Sequence, residues 1–239
     1  MGATRLLLVF LLAVATGPRA QGSVEERMFA AIDQGKELVA EGLLLQAMPN
    51  LDARNASGET VLHRAVEKDM KELVQAIVKA GANLRARSAS GETVLHLAAM
   101  HTDPAQVAFL LASGADPKAR NDEGETPLHW AALSGNAPVA SLLLEHGTDP
   151  DIADIRGNRP LHAAADSGNM AMVKFILSRS SDPRAKNRAG HTAEDVANER
   201  SRPEIARLLT AAGPGRAPSA GASNYRTNDI DDQQPAKGH

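Results

Sequence analysis

The sequence predicts an all-α solenoid: helix-turn-helix units stacked side by side and joined by loops or short hairpins. Three observations predict it. The octet GETVLHRA at Gly58–Ala65 returns as GETVLHLA from Gly91, GETPLHWA from Gly124 and GNRPLHAA from Gly157, with a decayed copy, GHTAEDVA, from Gly190. Successive copies start 33 residues apart, the signature of one supersecondary unit stacked on itself. Aromatic residues make up only 3% of the 239-residue chain, with one Trp and one Tyr, which suits a thin stack packed with Ala and Leu.

The first 22 residues read as a signal peptide. Arg5 supplies the positive charge and Leu6–Thr16 an 11-residue apolar stretch, too short to cross a hydrocarbon core of about 30 Å. A cut after Gly22 puts Ala20 and Gly22 at the small-residue positions; a cut after Ala20 is the alternative, with Pro18 counting against it. The competing reading is a buried N-terminal helix. Export implies a periplasmic or secreted protein, with no membrane attachment in the mature form. The chain has no Cys, so disulfides, thiolate metal sites and thiol nucleophiles are excluded and packing alone must hold the fold.

Residues 23–57 are expected to form an N-terminal capping repeat. Met28, Ala31 and Ile32, then Leu38, Val39, Leu44 and Leu45, keep the helical pattern without the Leu-His phrase, with one extra residue between Gly35 and Leu44. Four repeats follow at 58–90, 91–123, 124–156 and 157–189. In the third, Thr126 is a helix N-cap and Pro127 suits the first helical position, where its missing N–H costs nothing. Leu128, Ala131 and Ala132 form the apolar stripe of a short helix, and Gly135 ends it in a left-handed conformation. Val139, Ala140, Leu143 and Leu144 form the stripe of a second helix, closed by Gly147. Thr148–Arg156 is too polar for helix and becomes the loop to the next unit. Leu110–Leu111, Ile77–Val78, Ile176–Leu177 and Leu208–Leu209 are placed at the Leu143–Leu144 position.

Some copies depart from this grammar. Asp69, Thr102 and Ser201 stand where Gly135 and Gly168 sit, at a cost of about 1 kcal/mol each in a left-handed turn. Ser180 replaces the helix-closing Gly. In the C-terminal capping repeat, 190–213, Ala193–Val196 replaces the Pro-Leu-His phrase with charge, as a polar end of a stack requires. Residues 214–239 are rich in Gly, Pro, Ser and polar side chains, with little to bury, and are expected to be disordered.

The TPLHxA phrase, the Gly-Ala-Asp-like close and the 33-residue period resemble the ankyrin repeat over about residues 25–213. With the export signal, the chain resembles the periplasmic ankyrin-repeat proteins of bacteria. The resemblance implies that His63, His96, His129 and His162 hydrogen-bond the helix start to neighbouring loop backbone. Spacing independently argues against a metal: stacked helices lie about 8–10 Å apart, whereas zinc needs its nitrogens about 2.0–2.1 Å away. No cofactor is expected.

No GxSxG, HExxH or phosphate-binding GK[ST] loop is present, and the chain is read as a non-enzyme. Glu59, Glu92 and Glu125 recur after the loop Gly, which reads as a solvated loop. A net charge of −3 and a pI near 6.2 give no case for nucleic acid. Ten basic residues, among them Arg54, Arg87 and Arg120, fall in or beside the inter-repeat loops; a basic edge and a mixed, soluble edge are both compatible with them.

What remains is what fails to repeat. The position after the His reads Arg64, Leu97, Trp130, Ala163; three residues on it reads Glu67, Met100, Leu133, Asp166. In ankyrin-like stacks the first helices line the concave side. Leu97, Met100, Trp130 and Leu133 would then form an apolar centre flanked by Arg64, Glu67, Lys68 and Asp166, the anatomy of a protein interface. Packing between neighbouring helices is the alternative use of these side chains. The chain is thus expected to be a monomeric, exported protein-binding adaptor or accessory module. A secreted effector or neutralising partner is the alternative, and an unrecognised enzyme a more distant one.

Overall fold

A computed structural model of the chain describes residues 22–101, 103–180 and 182–212. The signal segment up to residue 21, Thr102 and the tail expectation for 214–239 lie outside the described residues. The described residues form helix pairs in two layers. The first helices are α1 (Val24–Asp33), α3 (Val61–Glu67), α5 (Val94–Ala99), α7 (Pro127–Ser134), α9 (Pro160–Ser167) and α11 (Ala193–Glu199). The second helices are α2 (Glu37–Ala47), α4 (Lys71–Lys79), α6 (Pro104–Ala112), α8 (Ala137–Glu145), α10 (Met170–Leu177) and α12 (Pro203–Ala211). Each helix packs on its pair-mate, each first helix packs on the first helix of the adjacent repeat, and among the second helices α2 packs on α4, α6 on α8 and α8 on α10. The core is the seam between the layers: Leu62, Leu95 and Leu128 from the first helices and Leu73, Leu110 and Leu143 from the second are wholly buried.

Helix boundaries follow the local chemistry. Thr126 caps α7, Pro127 opens it, and Gly135 closes it at φ 75°. Asp69 and Ser201 adopt the expected left-handed backbone, at φ 52° and 57°. His63, His96, His129 and His162 each sit at the third position of a first helix with both ring nitrogens engaged. The backbone N–H of Thr93 donates to His96 Nδ1 at 3.1 Å, and His96 Nε2–H donates to the Glu125 carbonyl of the next repeat at 3.1 Å. His63, His129 and His162 make the same bridge, to the carbonyls of Glu92, Asn158 and His191. In the last repeat Asp195 replaces the His and accepts the Thr192 N–H and hydroxyl, both at 2.8 Å. It keeps the cap and drops the link onward.

The loops contain a single isolated bridge among the described residues, Arg54 to Thr60, and are tight turns rather than strands. Asn55, Asn121, Asp154 and Asn187 each turn a side-chain oxygen back onto the N–H four residues on. The carbonyl before each loop Gly then accepts an N–H from the next loop: Ser57 from Ala89, Ser90 from Asp122, Glu123 from Ile155, Arg156 from Arg188, at 2.8–3.0 Å. This explains the invariant spacing of the loop Gly. At Gly157, φ is +78° and a Cβ would lie 2.9 Å from the Arg188 nitrogen.

Several sequence expectations are corrected. Leu43 and Leu44 are each 7% exposed, whereas Leu45 is 61% exposed. Leu43 follows Gly35 by the same interval as Leu143 follows Gly135, so the extra residue is not before Leu44. It lies downstream, where α2 runs to Ala47 and ends at Met48 with φ 44°. At the other end, Leu209 is buried and Leu208 only half-buried; Leu209 alone fills the Leu143 position. The recurrent Glu residues are not simply solvated: Glu59 and Glu125 accept the amides of Asn55 and Asn121, and Glu92 the hydroxyl of Ser88. Asp154 is buried. Nor are all the loop arginines free to form a basic edge. Arg54 donates to the Arg87 carbonyl, Arg87 to that of Arg120 at 2.9 Å, and Arg120 to that of Ala153 at 2.7 Å. Alanine at 153 ends that ladder.

Two predictions follow from this architecture. Gly157→Ala meets both an unfavourable φ and the Arg188 backbone and should cost about 2 kcal/mol or more in urea unfolding. Gly81→Ala has nothing within 4 Å and should cost about 1 kcal/mol. Equal losses would contradict the close-approach account. The second concerns pH. Burial holds the four bridging imidazoles below the usual histidine range, His96 at about 4. The unfolded chain protonates near pH 6.5, so between about 6.5 and 4 it binds more protons than the folded chain, and stability falls as pH drops. His96→Gln should remove about 2 kcal/mol of the loss between pH 7 and 5. An unchanged pH dependence would refute the buried neutral ring.

Candidate binding groove

The residues that fail to repeat lie on the first-helix layer, where each helix turns two positions away from the seam. One follows the His and the other comes three residues later, so the two share a helix face. A cleft of about 470 Å³ runs beside α7, α9 and α11, under the loops. Met100, Trp130, Leu133 and Asp166 line it together. Met100 is 51% and Leu133 47% exposed, unlike the apolar side chains at the seam.

Trp130 is fixed in place. Its Nε1–H donates to Glu125 Oε2 at 2.9 Å, and its ring meets the buried His96 ring edge-on at 5.6 Å. The Glu125 carboxylate is itself held by Asn121. The indole is therefore oriented before any partner arrives, which lowers the entropy lost on binding.

Not every candidate joins the cleft. Leu97 is half-buried, packs against the core and does not line it. Arg64 and Glu67 lie further along the same face, outside the cleft. Arg64 donates to Asp33 at 2.6 Å and also to Glu67, so its charge is already paired. Other cleft residues escaped the sequence reading: Glu125, Asn158, His191, Val196, Glu199 and Arg200. Val196 and Glu199 could have been found by carrying the same two positions one repeat further. Asn158, which accepts the Asn187 amide at 2.8 Å, carried no such signal.

The walls carry charge. Four carboxylates, Glu125, Asp154, Asp166 and Glu199, face two guanidinium groups, Arg156 and Arg200. Asp154 is spent on the N–H groups of Arg156 and Asn158. Arg200 pairs with Asp166, Arg156 lies 3.9 Å from Glu125, and His191 Nδ1 lies 3.0 Å from Glu199. His129 and His162 also line the cleft, but their nitrogens serve the scaffold. Among the described residues no group of three or more His, Cys, Asp or Glu is placed to hold a metal, and no helix is long and apolar enough to cross a membrane. Depressions of about 690 Å³ beside α1 and about 610 Å³ at the end of α2 contain none of the seven candidate residues.

An apolar floor with an oriented Trp and a charged rim can bind a macromolecular segment. Similarity to known proteins bears on what kind. The family model for ankyrin repeats, spanning three copies, matches residues 27–121 and again 95–187. No curated protein is significantly similar to the chain. The matched residues cover the stacked repeats and most of the groove, and ankyrin repeats are generally protein-interaction modules. The chain belongs to the ankyrin-repeat family.

Proposed function

We propose that this protein is a non-enzymatic, monomeric adaptor or accessory module that binds one protein partner through the groove built on α7, α9 and α11, with Met100 at the end of α5. One observation carries the reading. Met100 and Leu133, half-exposed and lining one cleft, stand beside a Trp already held by Glu125 and His96. Trp is enriched among binding hot spots, which cluster at the centre of an interface inside a polar rim. Arg64, Glu67 and Asp166 extend that rim, and Leu97 packs against the core on the same helix layer. The proposal includes export to the periplasm or beyond, supported by Arg5, the apolar run Leu6–Thr16 and the small residues that follow.

The test uses the immobilised chain and a Trp130→Ala/Met100→Ala variant shown by circular dichroism to remain folded. A partner captured from source-cell extract by the parent chain should bind the variant at least about 30-fold more weakly, a hot-spot loss of about 2 kcal/mol. Equal capture would contradict the groove. Fractionation of the source cell should place the protein outside the cytoplasm; a cytoplasmic pool of full-length chain would contradict export.

A further inference from the structure

We infer that the segment received by this groove carries two apolar side chains bracketed by cationic ones, each about three residues from the next. The inference rests on the groove being the partner-binding face and specifies what that partner presents there. One equivalent position, at the C-terminal end of each first helix, reads along the stack Asp33, Glu67, Met100, Leu133, Asp166, Glu199. The row is acidic at both ends and apolar in the two middle repeats. A second row, on the loop side, adds Glu59, Glu92 and Glu125.

Counter-charges already present do not cancel these ends. Arg64 is shared between Asp33 and Glu67, with Glu59 3.9 Å away. At the far end the guanidinium of Arg200 serves Asp166. The side chains of Asp33, Glu67 and Glu199 keep 42–56% of their surface exposed. A neutral partner would cover these carboxylates without replacing their water, and an acidic one would be repelled. A cation on each side of an apolar centre answers both ends.

The spacing follows from the stack. Adjacent first helices pack about 8–10 Å apart, and a polyproline II segment advances about 3.1 Å per residue with three residues per turn, so side chains three residues apart share a face and one repeat corresponds to about three residues. A segment lying along the row would place a cation near Glu67, apolar side chains on Met100 and Leu133, and a second cation near Asp166 and Glu199.

Trp130 is the only Trp in the chain and lies in the groove, so its emission reports occupancy directly. The full chain is titrated with blocked Gly/Ser decapeptides carrying Leu at the fourth and seventh positions. The first and tenth positions carry Lys, Ser or Glu. A fourth peptide has the composition of the Lys peptide with both Lys at one end. The Lys peptide should bind about tenfold tighter than the Ser peptide at low salt, lose that advantage at about 0.5 M salt, and lose it in a folded Glu67→Gln/Glu199→Gln variant. The Glu peptide should bind most weakly. Ser or Glu peptides binding as tightly as Lys would overturn the cationic requirement while leaving the groove as a binding face. Equal binding of the one-ended Lys peptide would overturn the spacing. Silence from all four peptides up to about 1 mM, in a folded chain, would overturn the groove itself.

Discussion

The structure depends on one buried ring used twice. Each bridging imidazole accepts the N–H at the start of its own helix and donates to a carbonyl in the next repeat's loop. The first bond satisfies a helix-end donor that burial would otherwise leave unpaired. The second fixes the distance and rotation between neighbouring repeats. Only the neutral ring with Nδ1 free and Nε2 protonated can do both, which is why burial and function as a strut coincide. Removing one bridge therefore loosens an interface as well as a helix, and in a stack the interface is where stability resides.

The loops repeat this logic in backbone. Each loop Gly lets the carbonyl before it approach the next loop, and the Arg54–Arg87–Arg120 series adds a guanidinium to three of these steps. The result is a framework rigid on the side where the groove opens. A Trp on such a framework, tied to Glu125 and seated on His96, presents its surface without having to be ordered first. The scaffold and the groove are thus linked through His96, which is a strut on one side and a seat for Trp130 on the other.

Much of this was legible in the sequence because the repeat states its own rules. The helix pairs, the caps at Thr126 and Pro127, and the left-handed turns at Gly135, Asp69 and Ser201 follow from residue type at a fixed period. Register at the two ends was harder. Three consecutive leucines, Leu43–Leu45, fit two alignments, and only packing against α1 and α4 selects Leu43 and Leu44 for the seam. Loop chemistry was also hidden. Glu59, Glu92 and Glu125, and Arg54, Arg87 and Arg120, carry charge that reads as solvent-facing, yet each spends hydrogen bonds on the framework across a separation that sequence does not display. Of the candidate residues, Met100, Trp130, Leu133 and Asp166 meet in one cleft, while Leu97 faces the core and Arg64 is held by Asp33. A variable position marks where a side chain stands, and its neighbours decide whether it is available.

The central claim is that the repeating residues build the framework and the residues that vary on the first-helix face carry recognition. Amide hydrogen exchange of the chain, alone and with its captured partner, tests this most directly. Binding is predicted to slow exchange in α7, α9 and α11, at the end of α5 and in the loops ending at Glu125 and Asn158, with α4, α6 and α8 unaffected. Protection confined to the second-helix layer, with the first helices unchanged, would contradict it.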